Sequence, residues 1–239
     1  MIVFPDADVE EAVEGAIFGM NFNVCQGQSC GSNSRVLVHR RLHDEFVARA
    51  AERLRSYSVG IAYRDDTDMG PLVSRQHLER VTGYLESGVR DGATLVTGGE
   101  HPADAPPGGY CMRPAIFAGV SGEMAIAREE IFGPVMSVLA WQDYDEMIVL
   151  ANAVDLGLTA SVWTNNLDLA HRTAEALDAG YIWINDSTRH YFGTPFGGTK
   201  DSGTGREESR EELFSYLETK AIHTRLRDAS AVFARMASS

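Results

Sequence analysis

The sequence predicts an α/β fold, an open, mainly parallel sheet flanked by helices on both faces. Two observations predict it. Helical patterns of roughly 10–15 residues alternate with short β-type runs, the order that joins parallel strands through helical crossovers. The chain is also long enough, at 239 residues with 44% hydrophobic and 23% charged side chains, to bury a core without disulfide or metal staples.

The elements follow in chain order. Asp6 and Asp8 precede a helix whose apolar face is Val9, Val13, Ala16, Ile17 and Met20. A strand is expected at Arg35–His39, then a helix with Leu42, Phe46, Val47, Ala50 and Leu54 on one face. Ser74 reads as the N-cap of a helix carrying Leu78, Val81 and Leu85, followed by a strand at Thr94–Thr97. Pro102 to Gly109 is a loop by composition. A strand at Pro134–Trp141 leads to Asp143 and Glu146, a capping-box pair opening a helix with Met147, Leu150 and Ala151. A strand at Ala160–Thr164 precedes a helix capped by Asn165, with Ala170, Thr173, Ala174 and Leu177 inward, and Tyr181–Asn185 is the last strand. The stretch from Arg227 to Ser239 reads as a small, polar, frayed tail.

Composition excludes several function classes. Twenty-one basic against 34 acidic residues leave a net charge of −13. With no basic patch, such a body is repelled by nucleic acid and by anionic membranes. The only lysines are Lys200 and Lys220, and neither sits in a Walker-type phosphate loop. Met1 to Phe4 runs into acidic residues rather than into a signal-peptide core, and no apolar run approaches the roughly 20 residues of a membrane span. The three cysteines, Cys25, Cys30 and Cys111, cannot all pair. A reducing, cytoplasmic compartment is expected. Cys25-x4-Cys30 with no nearby histidine is a poor zinc pattern, so no metal is expected.

Three segments carry the chemistry. In Gln26-Gly27-Gln28-Ser29-Cys30-Gly31, small residues flank a cysteine. A nucleophilic cysteine needs access, a thiolate and nearby N–H donors for an oxyanion; the competing reading is a buried structural cysteine at a tight turn. In Glu129-Glu130-Ile131-Phe132-Gly133-Pro134-Val135, adjacent carboxylates precede an aromatic–Gly–Pro turn. A carboxylate there suits a sugar diol and the ring suits a flat ligand, whereas the competing reading is an exposed acidic helix end. Pro195 to Glu207 is glycine-dense but matches neither GxGxxG nor GxxxxGK[ST], so it reads as a packed turn leading into a short helix.

In this order the segments resemble the aldehyde dehydrogenase superfamily. The resemblance runs through FPDADVEEAV, GQSC, MGPLVS (Met69 to Ser74), EEIFGPV, PFGGTKDSGTGRE and ETKAI (Glu218 to Ile222), and covers Ile2 to about Leu226. GMNFNVCQGQSCGS looks most like the betaine-aldehyde branch. Cys25 or Gln26 stands where many members carry Asn. The resemblance implies a catalytic domain over residues 1–202, a closing helix and bridging strand over 203–226 and a tail over 227–239.

It also implies roles. Cys30 is the nucleophile: its thiolate adds to an aldehyde to give a thiohemiacetal, hydride passes to NAD or NADP, and water hydrolyses the resulting thioester to the acid. The backbone N–H of Cys30 is half of the oxyanion hole. Glu130 binds the nicotinamide ribose and Phe132 packs beside it. Phe196 is an aromatic wall of the substrate tunnel, with Asn185 near it, and Arg80 falls where a basic residue approaches the same ribose.

Members of this family are about twice as long. Their first half carries the cofactor domain, an oxyanion-hole asparagine and an E-L-G-G-K glutamate that activates water, and none of these segments occurs here. The resemblance therefore points to the catalytic half alone, inactive or weak without an N-terminal half. Exposed Leu213, Phe214 and Tyr216 and a strand around Leu217 to His223 would invite association, so a homo-oligomer is expected. The competing function is a non-dehydrogenase: a pseudoenzyme, an interaction module or a weak thiol esterase. An acylating outcome on coenzyme A stays open as well.

Overall fold

The structure, a computed structural model, describes residues 1–103, 105–225, 234, 236 and 237. Apart from 234, 236 and 237, the expected tail at 227–239 lies outside the described residues.

The elements are β1 (Ile2–Val3), α1 (Val9–Gly19), α2 (Phe22–Cys25), β2 (Arg35–His39), α3 (Arg40–Arg55), α4 (Arg75–Arg90), β3 (Thr94–Thr97), β4 (Ala115–Ala118) and α5 (Ala125–Arg128). They continue with β5 (Val135–Trp141), α6 (Tyr144–Asn152), β6 (Leu156–Gly157), β7 (Thr159–Trp163), α7 (Leu167–Ala176), β8 (Tyr181–Ile184), β9 (Thr199–Lys200) and α8 (Arg210–Ser215). Seven strands form one sheet in the order β3-β4-β5-β2-β1-β7-β8, and β6 and β9 pair separately. The seven-stranded sheet is parallel except at its β3–β4 edge. The expected mainly parallel sheet is therefore present.

Alternate residues of a strand face opposite sides, and both sides are covered. Val36 and Val38 join Val13 and Ile17 of α1 and Phe46 and Ala50 of α3 in one core. Leu37 and Leu139 join Val81 of α4, Ile126 of α5, Met147 of α6 and Ala170 of α7 in the other. The helix stops and starts follow local chemistry. Asp8 caps α1 through the N–H groups of Glu10 and Glu11, and Ser74 caps α4 through that of His77. Asp143 accepts from Asp145 and Glu146 to start α6.

Asn165 is not the cap of α7. Asn166 takes that role, accepting from Leu169 N–H at 3.0 Å, because the Asn165 side chain is spent on the Asp6 backbone carbonyl at 2.6 Å. The strands expected at 134–141, 160–164 and 181–185 are Val135–Trp141, Thr159–Trp163 and Tyr181–Ile184. Pro102–Gly109 has no helix or strand among its described residues and turns through Ala105 N–H to Pro102 and Gly109 N–H to Pro106.

Met1 to Phe4 is part of the core. β1 lies in the sheet between β2 and β7, pairing Ile2 with Leu37 and Val162. Two residues are too few to show any periodicity, so only the long-range pairing reveals the strand. The other extreme is the closing segment. α8 forms after the Ser209 cap but buries no residue, and Leu217–His223 has no helix or strand within the chain. Among the described residues no helix is long and apolar enough to cross a membrane, and no cluster of His, Cys, Asp and Glu could hold a metal ion.

Candidate active site

The cysteine loop is built from two left-handed positions. α2 ends at Cys25, and Gln26 (φ 58) and Gly27 (φ 69) reverse the chain. Gly27 has a second reason to be glycine, because a Cβ there would run into the Gly133 carbonyl. Gln28 locks the turn: its amide donates to the Cys25 carbonyl and the Gln26 side chain, both at 3.1 Å, and its oxygen accepts from Val73 N–H at 3.0 Å. Ser32 ties the far end to the Met20 carbonyl at 3.2 Å. Buried Asn33 donates to Ser187 and Ser161.

This scaffold separates the three thiols. Cys30 is exposed, Cys25 half-buried and Cys111 buried. Burial pushes the Cys25 and Cys111 thiols up, disfavouring their thiolates. The Cys30 N–H has no hydrogen-bond partner among the described residues, which leaves it free for an oxyanion. The buried-cysteine reading therefore holds for Cys111 and fails for Cys30.

The second segment faces that loop. Phe132 sits at φ 59, a conformation that costs a bulky residue about 1–3 kcal/mol and collects at functional sites. The Phe132 carbonyl accepts from His77 Nε2 at 2.7 Å, and that nitrogen must carry the proton because a carbonyl cannot donate. Arg80 donates to the carbonyls of Glu130, at 2.7 Å, and Ile131. Both terminal nitrogens of its guanidinium are thus engaged by backbone carbonyls. Tyr84 donates to the Glu129 carboxylate at 2.8 Å. The Glu130 carboxylate has no partner among the described residues and is exposed.

Cys30, Glu130 and Phe132 line one cavity of about 350 Å³, together with Gly27, Ser29, Arg35 and Arg128. That lies at the small end of ligand pockets, which run from about 300 to 1,000 Å³. Arg35 caps the C-terminal end of α6 by donating to the carbonyls of Leu150, at 2.8 Å, and Ala151, at 3.3 Å. Burial, with Arg128 second, pulls its pKa down to about 10. Phe196 and Asn185 do not line this cavity. The Phe196 ring is buried against His190 (4.3 Å between centroids) and Tyr181 (5.4 Å). Asn185 uses its whole amide on the Thr164 backbone, at 3.0 and 2.9 Å, and borders a different groove with Glu14 and Trp163.

Sequence reasoning missed His77 and Tyr84. Their one trace in the sequence is the 77, 80, 84 spacing, which places all three side chains on one helix face. Nothing local connects that face to a loop 55 residues away.

Comparison with known proteins places the chain as a whole. Residues 1–222 match the family model described as "Aldehyde dehydrogenase family". Aldehyde dehydrogenase tropH of Talaromyces stipitatus is 44% identical over 99% of this chain and 47% of its own length. A betaine aldehyde dehydrogenase of Sinorhizobium fredii is also 44% identical, over 93% of this chain and 45% of its own. A Bacillus cereus aldehyde dehydrogenase, solved as an NAD+ complex, superposes with a TM-score of 0.89 at 40% identity, covering 95% of this chain and 45% of that one. The chain spans about half the length of the curated relatives it matches.

Proposed function

This chain belongs to the aldehyde dehydrogenase family, and we propose that it supplies the nucleophile-bearing half of an enzyme oxidising an aldehyde to a carboxylic acid. The observation that carries the proposal is the convergence of an exposed Cys30, a free Glu130 carboxylate and a left-handed Phe132 on one cavity.

Cys30 sulfur adds to the aldehyde carbon, an S–C bond forms, and the carbonyl π pair moves onto oxygen. The free Cys30 N–H is placed to receive that charge. The Glu130 carboxylate accepts hydrogen bonds from a ribose diol, and the Phe132 ring packs beside it. These residues fit the nicotinamide end of NAD or NADP: an unpartnered carboxylate and an aromatic edge meet at the cavity that holds the thiol. When bound, that cofactor is the two-electron acceptor that turns the cysteine adduct into a thioester. Ser32 donates to the Gly27 carbonyl at 3.4 Å, and Gly27 packs on the Gly133 carbonyl, so both ends of the loop that carries the thiol are held. Phe196 and Asn185 stay out of this assignment because their side chains are committed elsewhere.

The aldehyde is not chosen by similarity, since a betaine aldehyde dehydrogenase and a differently named relative are equally close at 44%. The cytoplasm is the proposed compartment, from the free thiols. The exposed Leu213, Phe214 and Tyr216 are proposed to bury against a second copy or the remaining half of a longer protein. Light scattering should then report a dimer or larger, and a monodisperse monomer at micromolar concentration would count against this.

The direct test pairs two assays on this chain. p-Nitrophenyl acetate should give a burst of about one nitrophenolate per chain, the mark of an acyl-enzyme, and Cys30→Ser should abolish it. An unchanged burst in that variant removes Cys30 as the nucleophile. Aldehyde plus NAD should give little NADH with this chain alone, because losing one oxyanion donor already costs about 10²–10³ in rate. Rapid NADH formation would overturn the half-enzyme reading.

A further inference from the structure

We infer that His77, Arg80 and Tyr84 form a positioning ladder on α4 that holds the 129–132 segment and selects Glu130, rather than its neighbour Glu129, as the carboxylate left free for a ligand. The selection matters only if Glu130 binds the ribose, so that part rests on the proposed function.

The ladder runs antiparallel to the segment it holds. Tyr84 takes the Glu129 carboxylate, Arg80 takes the Glu130 and Ile131 carbonyls, and His77 takes the Phe132 carbonyl. Residues 77, 80 and 84 are spaced i, i+3 and i+7, so successive turns of one helix face meet successive residues of the loop. Arg80 also lies over the Tyr84 ring, 5.0 Å from its centroid, and donates to its hydroxyl at 3.4 Å. The two rungs therefore brace each other.

Each rung has its own effect. The backbone rungs hold carbonyls on either side of the left-handed Phe132, opposing its relaxation toward ordinary β or α dihedrals. The side-chain rung is selective. Of two adjacent, exposed carboxylates that both line the cavity, Glu129 is tethered through Oε2 by Tyr84, and Glu130 has no partner among the described residues. The loop so held packs its Gly133 carbonyl on Gly27, which ties the ladder to the nucleophile loop. None of the three side chains touches the thiol or the reacting atoms, so they are positioning residues.

Three readouts on the intact chain test this. A glutamate-specific protease cuts after Glu129 or Glu130 only when the segment opens, so its rate reports local opening. His77→Ala should speed that cut about tenfold and Arg80→Ala by more, with the global melting midpoint nearly unchanged. His77→Gln, which keeps an N–H donor, should restore slow cutting. Unchanged cutting in both alanine variants, or no rescue by glutamine, would overturn the positioning role.

Tyr84→Phe should leave cutting within about twofold but raise carbodiimide–amine labelling of Glu129 severalfold, with Glu130 unaffected. Equal labelling of Glu129 in both proteins would overturn the selection. Saturation-transfer NMR with NAD then separates the two levels. Contact to the nicotinamide ribose in the wild type, lost in His77→Ala and kept in His77→Gln, supports ladder and ribose role together. No contact in the wild type, with cutting and labelling as expected, rejects the ribose role of Glu130 and leaves the ladder standing.

Discussion

Two regions of this chain, the loop around Cys30 and the closing segment, are built differently. Around Cys30, each reversal of the chain is secured by side chains from elsewhere in the fold: Gln28 to Val73, Asn33 to Ser187, His77 to Phe132. In the closing segment, the α8 helix is properly capped and yet buries nothing, and Leu213, Phe214, Leu217 and Ile222 all face solvent. Local signals suffice to start a helix. Only packing gives it stability, because an isolated helix this short is marginal in water. The first region is packed within this chain, and the second is not packed against the described residues.

The sharpest break in that comparison is one substitution made in both regions. Gly27→Ala combines a left-handed φ with a clash on Gly133 and should cost about 2–4 kcal/mol in urea unfolding. Gly203→Ala also has a positive φ, 100 against 69, but open space around it; only the backbone cost remains, about 1–2 kcal/mol. Equal costs would mean that the cysteine loop is no better packed than the closing segment.

Thiol chemistry should show the next largest contrast. Iodoacetamide near neutral pH should label Cys30 at least about tenfold faster than Cys25 or Cys111, because burial raises the pKa of the latter two. Uniform labelling would return Cys30 to a structural role.

A pH effect is expected from the packed core. His39 is buried against Trp141, at 4.7 Å between centroids, and its Nδ1 accepts from Arg41 N–H at 3.3 Å to cap α3. Burial first, then Arg41 and Arg40, lowers its pKa below 6.5. Between that lowered value and 6.5 the unfolded chain holds the extra proton, so stability rises with pH across this window and levels off above it. Acidification below 6.5 should therefore lower the melting midpoint. His39→Asn, which retains an acceptor, should flatten that slope.

The smallest effect on folding is expected in the closing segment. Leu213→Asp with Phe214→Asp should change unfolding free energy by within about 0.5 kcal/mol, while reducing the assembly seen by light scattering. A large loss of stability would show that α8 packs on its own chain after all.

Much of this was legible in the sequence. The apolar spacing of Val9, Val13 and Ile17 marked α1, and that of Phe46, Ala50 and Leu54 marked α3, because an amphipathic helix writes its period into neighbouring residues. Cys30, Glu130 and Phe132 were legible as chemistry types in an ordered set of motifs, and one cavity brings them together. β1 was not legible, nor was β4, a short run after Pro114. The cap of α7 was misplaced by one residue because two asparagines stand side by side and Asp6, far upstream in the chain, takes one of them.

The sequence by itself determined the alternation of helices and strands, and hence the α/β class, because hydrophobic period and capping are local properties. It also determined which side chains are available for thiol and carboxylate chemistry. Only the tertiary structure decided that Ile2 and Val3 lie inside the sheet, that Phe196 turns into an aromatic cluster, and that Glu130 rather than Glu129 stays free. Each of those outcomes depends on groups far apart along the chain that meet only when the core closes, and such meetings leave no periodic trace among neighbouring residues.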